Sequence, residues 1–426
     1  MRREIFSEVA LQYTKRALLV ILVVFPALSL TVKKINSVGF YLLLLIGLAV
    51  VFFRQKTEQK QWLLPKYWPL YIAMATMLIA VFINQAITGD YQFNYFEAPL
   101  RLACFAVLFQ TLLLLNSKEI KIVQWGVVGG VLIALVVIFM ETHGGVERPA
   151  KIYFLGIIPF SNFAMLLSFI ALLSIKWHGQ NNKPLIVLKM LTFFAGLCIV
   201  FLSQSRGGWL ALLLYIFIAS RVFFKQDMKM TILIFVLAIT VFTCMAIFSK
   251  NTNSRIEAVR TDVALYLDGT NLDTSIGSRL QFWKSAILII KEDAIVGIGA
   301  DQYKNKMSEL ASKKIVTTDA ATYPHAHNEI LFQTIRFGLF GFISILLVLF
   351  VPLFYFLKNI SHSDDQIRTT SWMGIAFCLG IFTFGLTDVV LVWRETTTFY
   401  VFFMAVFFSY IVRRNQELGK VIKPSI

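Results

Sequence analysis

The stretch Gly338–Leu357, GLFGFISILLVLFVPLFYFL, contains no charged residue. A helix needs about 20 mainly apolar residues to cross the hydrocarbon core of a bilayer. Over the whole chain of 426 residues, 58% are hydrophobic and 15% are charged. Soluble domains are about half apolar and about a quarter charged. The sequence therefore predicts an all-α integral membrane protein.

Eleven other apolar runs lie along the chain, so we predict about twelve transmembrane helices. The predicted spans are Ala17–Val32, Val38–Phe53, Trp68–Ile87, Leu102–Leu115, Val123–Met140, Leu155–Ile175, Leu185–Leu202, Trp209–Phe223, Met230–Phe248, Gly338–Leu357, Trp372–Leu386 and Thr397–Val412. Several of these runs are shorter than about 20 residues, so polar flanks or local thinning of the bilayer must help them to cross.

The net charge of the chain is +16, and the placement of its basic residues predicts an orientation. One set of connectors holds 21 Lys and Arg residues, whereas the alternate short connectors hold 7. Cytoplasmic loops carry the basic excess in membrane proteins, so both termini are predicted to be cytoplasmic. Because most basic residues lie in short connectors between spans, their charge indicates contact with membrane lipids and argues against a nucleic-acid partner.

This orientation divides the chain into three parts. Residues 1–248 carry transmembrane helices 1–9, and residues 249–329 form one large periplasmic loop. Residues 330–426 carry helices 10–12 and a cytoplasmic tail. At about 80 residues, the loop is the only connector long enough to hold structure of its own, and we expect short helices there.

Ionisable residues deep in membrane spans usually mark ion or proton pathways, and this chain has few of them. Lys189 is predicted to extend to the interface from the inner end of its span, while Arg336 and Asp388 lie near outer ends. The predicted middle of the membrane is nearly free of charge. This argues against an ion-coupled transporter and places any chemistry at the outer membrane surface.

The connector SQSRGG, Ser203–Gly208, is the first candidate functional segment on the predicted outer side. It is so short that Arg206 is held at the membrane surface between two helices. Its two glycines allow close approach of a ligand to the backbone. Arg206 is therefore a candidate for binding either a ligand or lipid head groups.

The loop stretch Thr274–Asp293, TSIGSRLQFWKSAILIIKED, predicts a helix that Ser275 or Ser278 caps. One face of this helix is predicted to lie against the membrane or the span bundle and consists of Leu280, Trp283 and Ile287. Arg279 falls in the first turn, where a cation opposes the helix dipole. A phosphate ligand would explain its presence there, and a solvated side chain is the alternative.

The following stretch, Val296–Lys306 or VGIGADQYKNK, has two closely spaced glycines. Gly297 and Gly299 predict a turn. The stretch lacks the strand and the Lys-Ser/Thr context of a phosphate-binding loop, so we predict no nucleotide site.

The stretch Tyr323–Gln333, YPHAHNEILFQ, holds two of the five histidines of the chain. The spacing of His325 and His327 is poor for a metal site on a helix face, and no carboxylate partner is evident nearby, so no metal is predicted. A neutral imidazole can act as a general base near pH 7, with Asn328 or the local backbone fixing its tautomer. A structural histidine at the entry of a helix is the alternative.

Together the Ser-Arg-Gly connector, SRLQFW followed by Gly-x-Gly, and HNEIL resemble the O-antigen ligase and O-antigen polymerase superfamily. The resemblance extends to about twelve spans, cytoplasmic termini and one large late loop. It implies a C-type glycosyltransferase fold. It also implies transfer of a glycan from undecaprenyl diphosphate to lipid A–core, at the periplasmic face of the bacterial inner membrane.

The same resemblance assigns roles to individual residues. It implies that Arg206 and Arg279 bind the donor diphosphate and that His327 is the catalytic base. His325 matches no functional position of the family, and we expect His325 and Asn328 to have supporting roles. No cofactor is expected. Many C-type enzymes carry acidic residues in the first outer loop, whereas this chain has KKINS there, which favours a metal-free mechanism.

Two other functions remain open from the sequence. An O-antigen polymerase shares the reaction and the fold but uses a different acceptor. A flippase for lipid-linked glycans would perform no chemistry, and it would need a polar path through the membrane, which the charge-poor spans do not provide.

Overall fold

The computed structural model describes residues 2–55, 63–177, 182–205, 207–224, 227, 229–230, 232–233, 236 and 250–421. Their α-helices are α1 (Arg2–Leu28), α2 (Lys33–Gln55), α3 (Trp68–Thr88), α4 (Glu97–Ala103), α5 (Phe105–Leu112), α6 (Ser117–Ile120), α7 (Val123–Glu141), α8 (Ile157–Leu173), α9 (Lys183–Leu202), α10 (Gly207–Phe223), α11 (Lys250–Leu267), α12 (Ser275–Glu292), α13 (Tyr303–Ser312), α14 (Glu329–Leu357), α15 (Asp365–Gly385) and α16 (Arg394–Val421). Four short 3₁₀ helices cover Pro65–Tyr67, Phe93–Phe96, Ser174–Trp177 and Ala320–Thr322. A two-stranded antiparallel hairpin pairs β1 (Lys151–Ile152) with β2 (Leu155–Gly156).

Nine helices in the described part of the chain are long and apolar enough to cross a membrane. They correspond to nine of the twelve predicted spans, and the prediction of an all-α integral membrane protein is confirmed. The predicted span Leu102–Leu115 falls on the short helices α4 and α5, which meet at Cys104. The backbone of Cys104 is in the α-helical region, and its N–H bonds the Leu100 carbonyl at 3.0 Å. Helical backbone therefore continues from α4 into α5, and this span stays a prediction.

The other two predicted spans lie in the least described region. The span Trp209–Phe223 corresponds to α10, whose apolar portion Ala211–Phe223 is shorter than the nine candidate spans. The span Met230–Phe248 falls almost wholly outside the described residues. The predicted division at residues 248 and 329 stays a prediction, although α11, α12 and α13 supply the helices expected between those positions.

Helix α16 lies at the centre of the bundle, with almost every residue from 396 to 412 buried. Helices α8 and α15 are also mostly buried, whereas α1 and α2 expose much of their surface. Aromatic contacts link α16 to its neighbours: Phe399 stacks on Phe377 of α15 at 5.8 Å, and Phe408 stacks on Phe356 of α14 at 4.5 Å. Burial of these large rings fixes α14, α15 and α16 against one another.

Lys189 is fully buried and donates a hydrogen bond from Nζ to the Ser174 carbonyl at 2.8 Å. The prediction that this lysine extends to the interface is therefore wrong. A buried ammonium needs a partner, and the last carbonyls of α8 and the turn that follows provide one.

A kink divides α14 at Phe337 and Gly338, where Gly338 has φ +57°. The predicted span Gly338–Leu357 matches the half of α14 after the kink, whereas the half before the kink was not predicted. A Cβ at Gly338 would collide with the carbonyl of Ile295, because the loop packs backbone to backbone against the kink. The backbone N–H of Gly299 bonds the Arg336 carbonyl at 3.0 Å, and that of Leu339 bonds Ile295 at 3.1 Å. The paired glycines of the VGIG stretch thus dock the large connector onto the bundle.

Candidate active site

The histidine pair lies between the 3₁₀ helix Ala320–Thr322 and the start of α14. The rings of His325 and His327 are 4.2 Å apart at 65°. His327 has φ +48°, a left-handed conformation that is uncommon for a residue with a Cβ. This turn brings its backbone N–H to 3.4 Å from Nδ1 of His325. A strained backbone at this position is held by the packing around it, which is frequent at functional sites.

Asp388, in the connector between α15 and α16, reaches both histidines. Its Oδ1 lies 3.6 Å from Nδ1 of His327 and 4.0 Å from Nε2 of His325. The sequence argument that no carboxylate accompanies the histidines is therefore wrong in three dimensions. One ligand atom from each of the three residues lies within 4.8 Å of the others, so the group has the composition and spacing to hold a metal ion.

The environment of this group controls its protonation. Burial and the neighbouring His327 lower the pKa of His325 to about 4, against a smaller opposing effect of Asp388. Burial alone would raise the pKa of Asp388, but His327, His325 and the backbone N–H of Val389 hold it below its ordinary value. Near pH 7 the site therefore contains a neutral His325 and an ionised Asp388.

Glu329 fixes the connector that carries Asp388. Its carboxylate is buried and accepts hydrogen bonds from the backbone N–H groups of Val390 and Leu391, the latter at 3.0 Å. Its second oxygen accepts from Gln333 Nε2 at 2.7 Å. The glutamate of the HNEIL motif thus links the start of α14 to the connector, and it sets where Asp388 stands relative to the histidines.

Asn328 caps α14 and does not bond the imidazole of His327. Its Oδ1 accepts from the Leu331 backbone N–H at 3.1 Å, and its Nδ2 donates to the Leu386 carbonyl at 3.4 Å. The structure therefore places Asn328 behind the histidine pair as a helix cap. Its contact with Leu386 is a second link between α14 and the connector that holds Asp388.

Helix α12 packs its Phe282 ring on His327, with the ring centres 5.4 Å apart and the planes at 22°. Arg279 is half-buried and three residues before Phe282, so the two side chains project from the same side of α12. The helix prediction for this stretch is confirmed. The cap is Thr274, which accepts from the Gly277 N–H at 3.1 Å, and neither Ser275 nor Ser278 has that role.

The buried face of α12 also differs from the predicted one. It contains Phe282, Ala286 and Ile289, whereas Ile287 is exposed. The buried face is displaced because α12 packs on α14 and on the 3₁₀ helix Ala320–Thr322, and this face also includes Ser278 and Ser285.

Arg206 lies outside the described residues, but both helices that flank it are described. Beside them is an apolar groove of about 790 Å³, formed by α7, α8, α9 and α10. Its walls are Leu135, Val136, Phe139, Met140, Met165, Leu197, Cys198, Val200, Phe201, Leu202, Gly208 and Leu212. Leu202 and Gly208 flank the Ser203–Arg206 segment, so the groove reaches the connector that holds Arg206.

Comparison with known proteins finds similarity in this region. Residues 191–346 match the family described as O-antigen ligase, and this segment is less than half of the chain. The chain is also 29% identical over 177 residues to an uncharacterized protein of Haemophilus influenzae. That match covers 41% of this chain and 44% of the relative, so the chain spans less than half of the relative's length.

The ligase-family match includes Arg206, Arg279, His325 and His327, and it ends before Asp388. Asp388 was visible in the sequence as an ionisable residue near the end of a span. Nothing in the linear pattern paired it with the histidines, because the pairing depends on how α14 and α15 pack. Glu329 gave a clearer signal, since an acidic residue directly before an apolar run needs a partner when the helix end is buried.

Proposed function

We propose that this protein is an O-antigen ligase. It transfers a glycan from undecaprenyl diphosphate to lipid A–core at the periplasmic face of the bacterial inner membrane. The observation that carries the proposal is the contact of His327 with Asp388, beside the helix of Arg279. His327 and Arg279 lie in the segment that matches the ligase family, and Asp388 lies outside it. No cofactor takes part in the proposed reaction.

His327 is the proposed general base. Its Nδ1 faces Asp388 at 3.6 Å, so we assign the proton to Nδ1 and leave Nε2 to accept one from the acceptor hydroxyl. As that proton leaves, the hydroxyl oxygen attacks the anomeric carbon of the donor sugar. The bond from this carbon to the phosphate oxygen breaks, and undecaprenyl diphosphate departs with the bonding electrons. Asp388 orients the imidazole and stabilises the imidazolium that forms.

Arg206 and Arg279 are proposed to bind the donor diphosphate, on which negative charge develops as the bond breaks. A planar guanidinium pairs with two phosphate oxygens at once, and fixed cations stabilise a leaving phosphate strongly. The position of Arg279 on the same side of α12 as Phe282 supports this role, because Phe282 packs on the proposed base.

The apolar groove is proposed to hold the isoprenoid tail of the donor. Its walls expose almost no polar atoms, as a hydrocarbon chain requires, and it reaches the connector of Arg206. A tail in the groove would thus place the diphosphate at this arginine. The excess of basic residues in alternate connectors supports cytoplasmic termini and a periplasmic site.

The full-length protein, purified in lipid nanodiscs, tests this function. Given undecaprenyl diphosphate-linked glycan and lipid A–core, it should produce glycosylated lipid A–core, and excess EDTA should leave the rate unchanged. The variants Arg206→Lys and Arg279→Lys keep the charge but lose the planar fork, so both should transfer more slowly.

Other products would assign other functions. Donor repeats joined to each other on the lipid would indicate a polymerase. Translocation of donor without any new glycosidic bond would indicate a flippase. Loss of transfer in EDTA, restored by a divalent cation, would show that the His325–His327–Asp388 group works as a metal site.

A further inference from the structure

A second cavity, here called the polar pocket, lies beside α14 and has a volume of about 370 Å³. Its walls come from the start of α2, the 3₁₀ helix Phe93–Phe96, α4, α14 and the start of α16. Lys33, Arg336 and Arg394 supply three basic side chains to it, and Glu97 and Glu395 supply two acidic ones. The proposed mechanism uses none of these residues.

Arg336 is 4% exposed, and its guanidinium packs against three aromatic rings. Its Cζ lies 4.7 Å from the ring of Phe337 and 5.2 Å from the rings of Tyr95 and Phe332. Within the described part of the chain, the guanidinium has no hydrogen-bond acceptor and no carboxylate partner, and its Nε is buried without one. A buried cation without a hydrogen-bonding partner is costly, so this arrangement indicates an anionic ligand.

The nearby acidic groups are engaged elsewhere. Asp301 accepts the hydroxyl of Tyr95 at 2.6 Å, and both oxygens of Glu329 are taken by Val390, Leu391 and Gln333. Aromatic rings on several sides hold the Arg336 side chain in place, away from the carboxylates of Asp301 and Glu329. Its guanidinium is therefore positioned to bind an anion.

Lys33 is a second cation with no carboxylate partner among the described residues, and it is exposed at the rim of the pocket. By contrast, Arg394 is paired with Glu395 at 2.8 Å and with Glu97 at 3.7 Å. Among the described residues, Lys33 and Arg336 therefore have no carboxylate within 4.0 Å, whereas Arg394 occupies the two acidic side chains of the polar pocket. A phosphate monoester carries about 1.5 to 2 negative charges near pH 7, which matches the charges of Lys33 and Arg336.

The pocket adjoins the histidine pair. The Phe332 ring that packs on Arg336 lies 6.2 Å from the ring of His325. Trp393, which lines the pocket and is 43% exposed, lies 6.1 Å from the same histidine. An anion at Arg336 would thus be separated from the histidine pair by single aromatic rings, and the exposed Trp393 would be available to cover a sugar.

We propose that the polar pocket binds a phosphate group of the acceptor saccharide and positions its reactive hydroxyl near His327. This inference rests on the proposed function, since it names the part of the acceptor that this protein recognises. The donor is a poor occupant because its tail requires apolar walls, which the groove beside α9 supplies and the polar pocket does not.

Direct binding tests the inference without requiring any transfer. Lipid-free core oligosaccharide, native or chemically dephosphorylated, would be titrated calorimetrically into the full-length protein in phosphatidylcholine nanodiscs. Lys33→Gln should weaken binding of the native saccharide about five- to tenfold, the loss of one charged contact. The matched variant Lys34→Gln changes an adjacent exposed lysine outside the pocket and should bind normally. Dephosphorylated saccharide should bind more weakly and should not distinguish the two variants.

Arg336→Gln should lower the affinity further. Because Arg336 is buried, this variant can fail to fold, and the test then depends on Lys33→Gln, which changes an exposed residue. Equal binding of native and dephosphorylated saccharide to wild type would overturn the inference, even if the protein transfers glycan. If binding depends on phosphate but the protein transfers no glycan, the inference about the polar pocket is supported and the proposed function is contradicted. If phosphatidylglycerol nanodiscs abolish binding of native saccharide to wild type, the pocket holds a lipid head group, which also overturns the inference.

Discussion

The apolar groove and the polar pocket differ in what lines them and in how they relate to the site. The groove, between α7 and α10, has almost purely hydrocarbon walls and reaches the connector of Arg206. The pocket, beside the kink of α14, presents unpaired cations and adjoins His325. A reaction between a lipid-linked donor and a charged acceptor needs an apolar surface for the first and a charged surface for the second, at separate places. Under the proposed function, the groove would hold the donor tail and the polar pocket would hold the acceptor phosphate.

His327→Ala should have the largest effect, because it removes the proton acceptor and leaves both cavities intact. Loss of a general base typically lowers the rate about 10²- to 10⁴-fold. Transfer in single-turnover experiments should fall by this amount, while affinities for donor and acceptor stay near wild type.

His325→Ala is the matched control, and its loss of transfer should be smaller. If His325→Ala is inactive and His327→Ala is active, the two roles are exchanged. If both variants transfer normally, the histidine pair only forms the start of a helix, and the two cavities do not serve a catalytic histidine.

Acid should lower the stability of the folded protein through His325, which lies beside the polar pocket. The folded protein holds the pKa of His325 at about 4, whereas an unfolded histidine titrates near 6.5. Unfolding therefore takes up a proton between these values, so stability is complete above about pH 6.5 and falls towards pH 4. The full loss from this group is about 3 kcal/mol, at 1.36 kcal/mol for each pKa unit.

The melting temperature, measured between pH 7 and pH 4.5, checks this expectation. Wild type should lose more stability than His325→Asn, while His143→Asn, which removes an exposed histidine after α7, should follow wild type. Equal slopes for wild type and His325→Asn would contradict it. Because none of the described residues that line the apolar groove is a carboxylate or a histidine, acid should leave donor-tail binding there unchanged.

The smallest effect is expected from narrowing the groove. Cys198 is exposed on α9 and lines the groove, so Cys198→Trp would occupy part of it without disturbing the bundle. Displacing about 40 Å² of apolar contact costs about 1 kcal/mol, so the KM for donor should rise about fivefold. The KM for acceptor should not change.

Leu191→Trp is the control, since Leu191 is exposed on the same helix but outside the groove. A rise in acceptor KM with Cys198→Trp, or an equal donor effect from Leu191→Trp, would break the assignment of the groove to the donor.

The sequence by itself determined the membrane class, nine of the spans and the residues that match the ligase family. Apolar runs of membrane length, such as Gly338–Leu357, need no tertiary information, since the bilayer alone selects them. His327 and Arg279 were also identifiable, because their neighbours in the chain form recognisable motifs. Arg206 was found in the same way and lies outside the described residues. The roles of all three residues stay predictions.

Only the tertiary structure decided which groups meet. Asp388 reaches His327 because α14 and α15 pack together and Glu329 binds the connector between α15 and α16. Arg336 faces a pocket because Gly338 kinks α14 and Gly297 lets the loop approach it. Such contacts join residues far apart in the chain, and their energies depend on burial and geometry that no local pattern contains. The physical reason is that the protonation and the binding properties of a charged group depend on the groups around it, and the packing of the helices determines which groups those are.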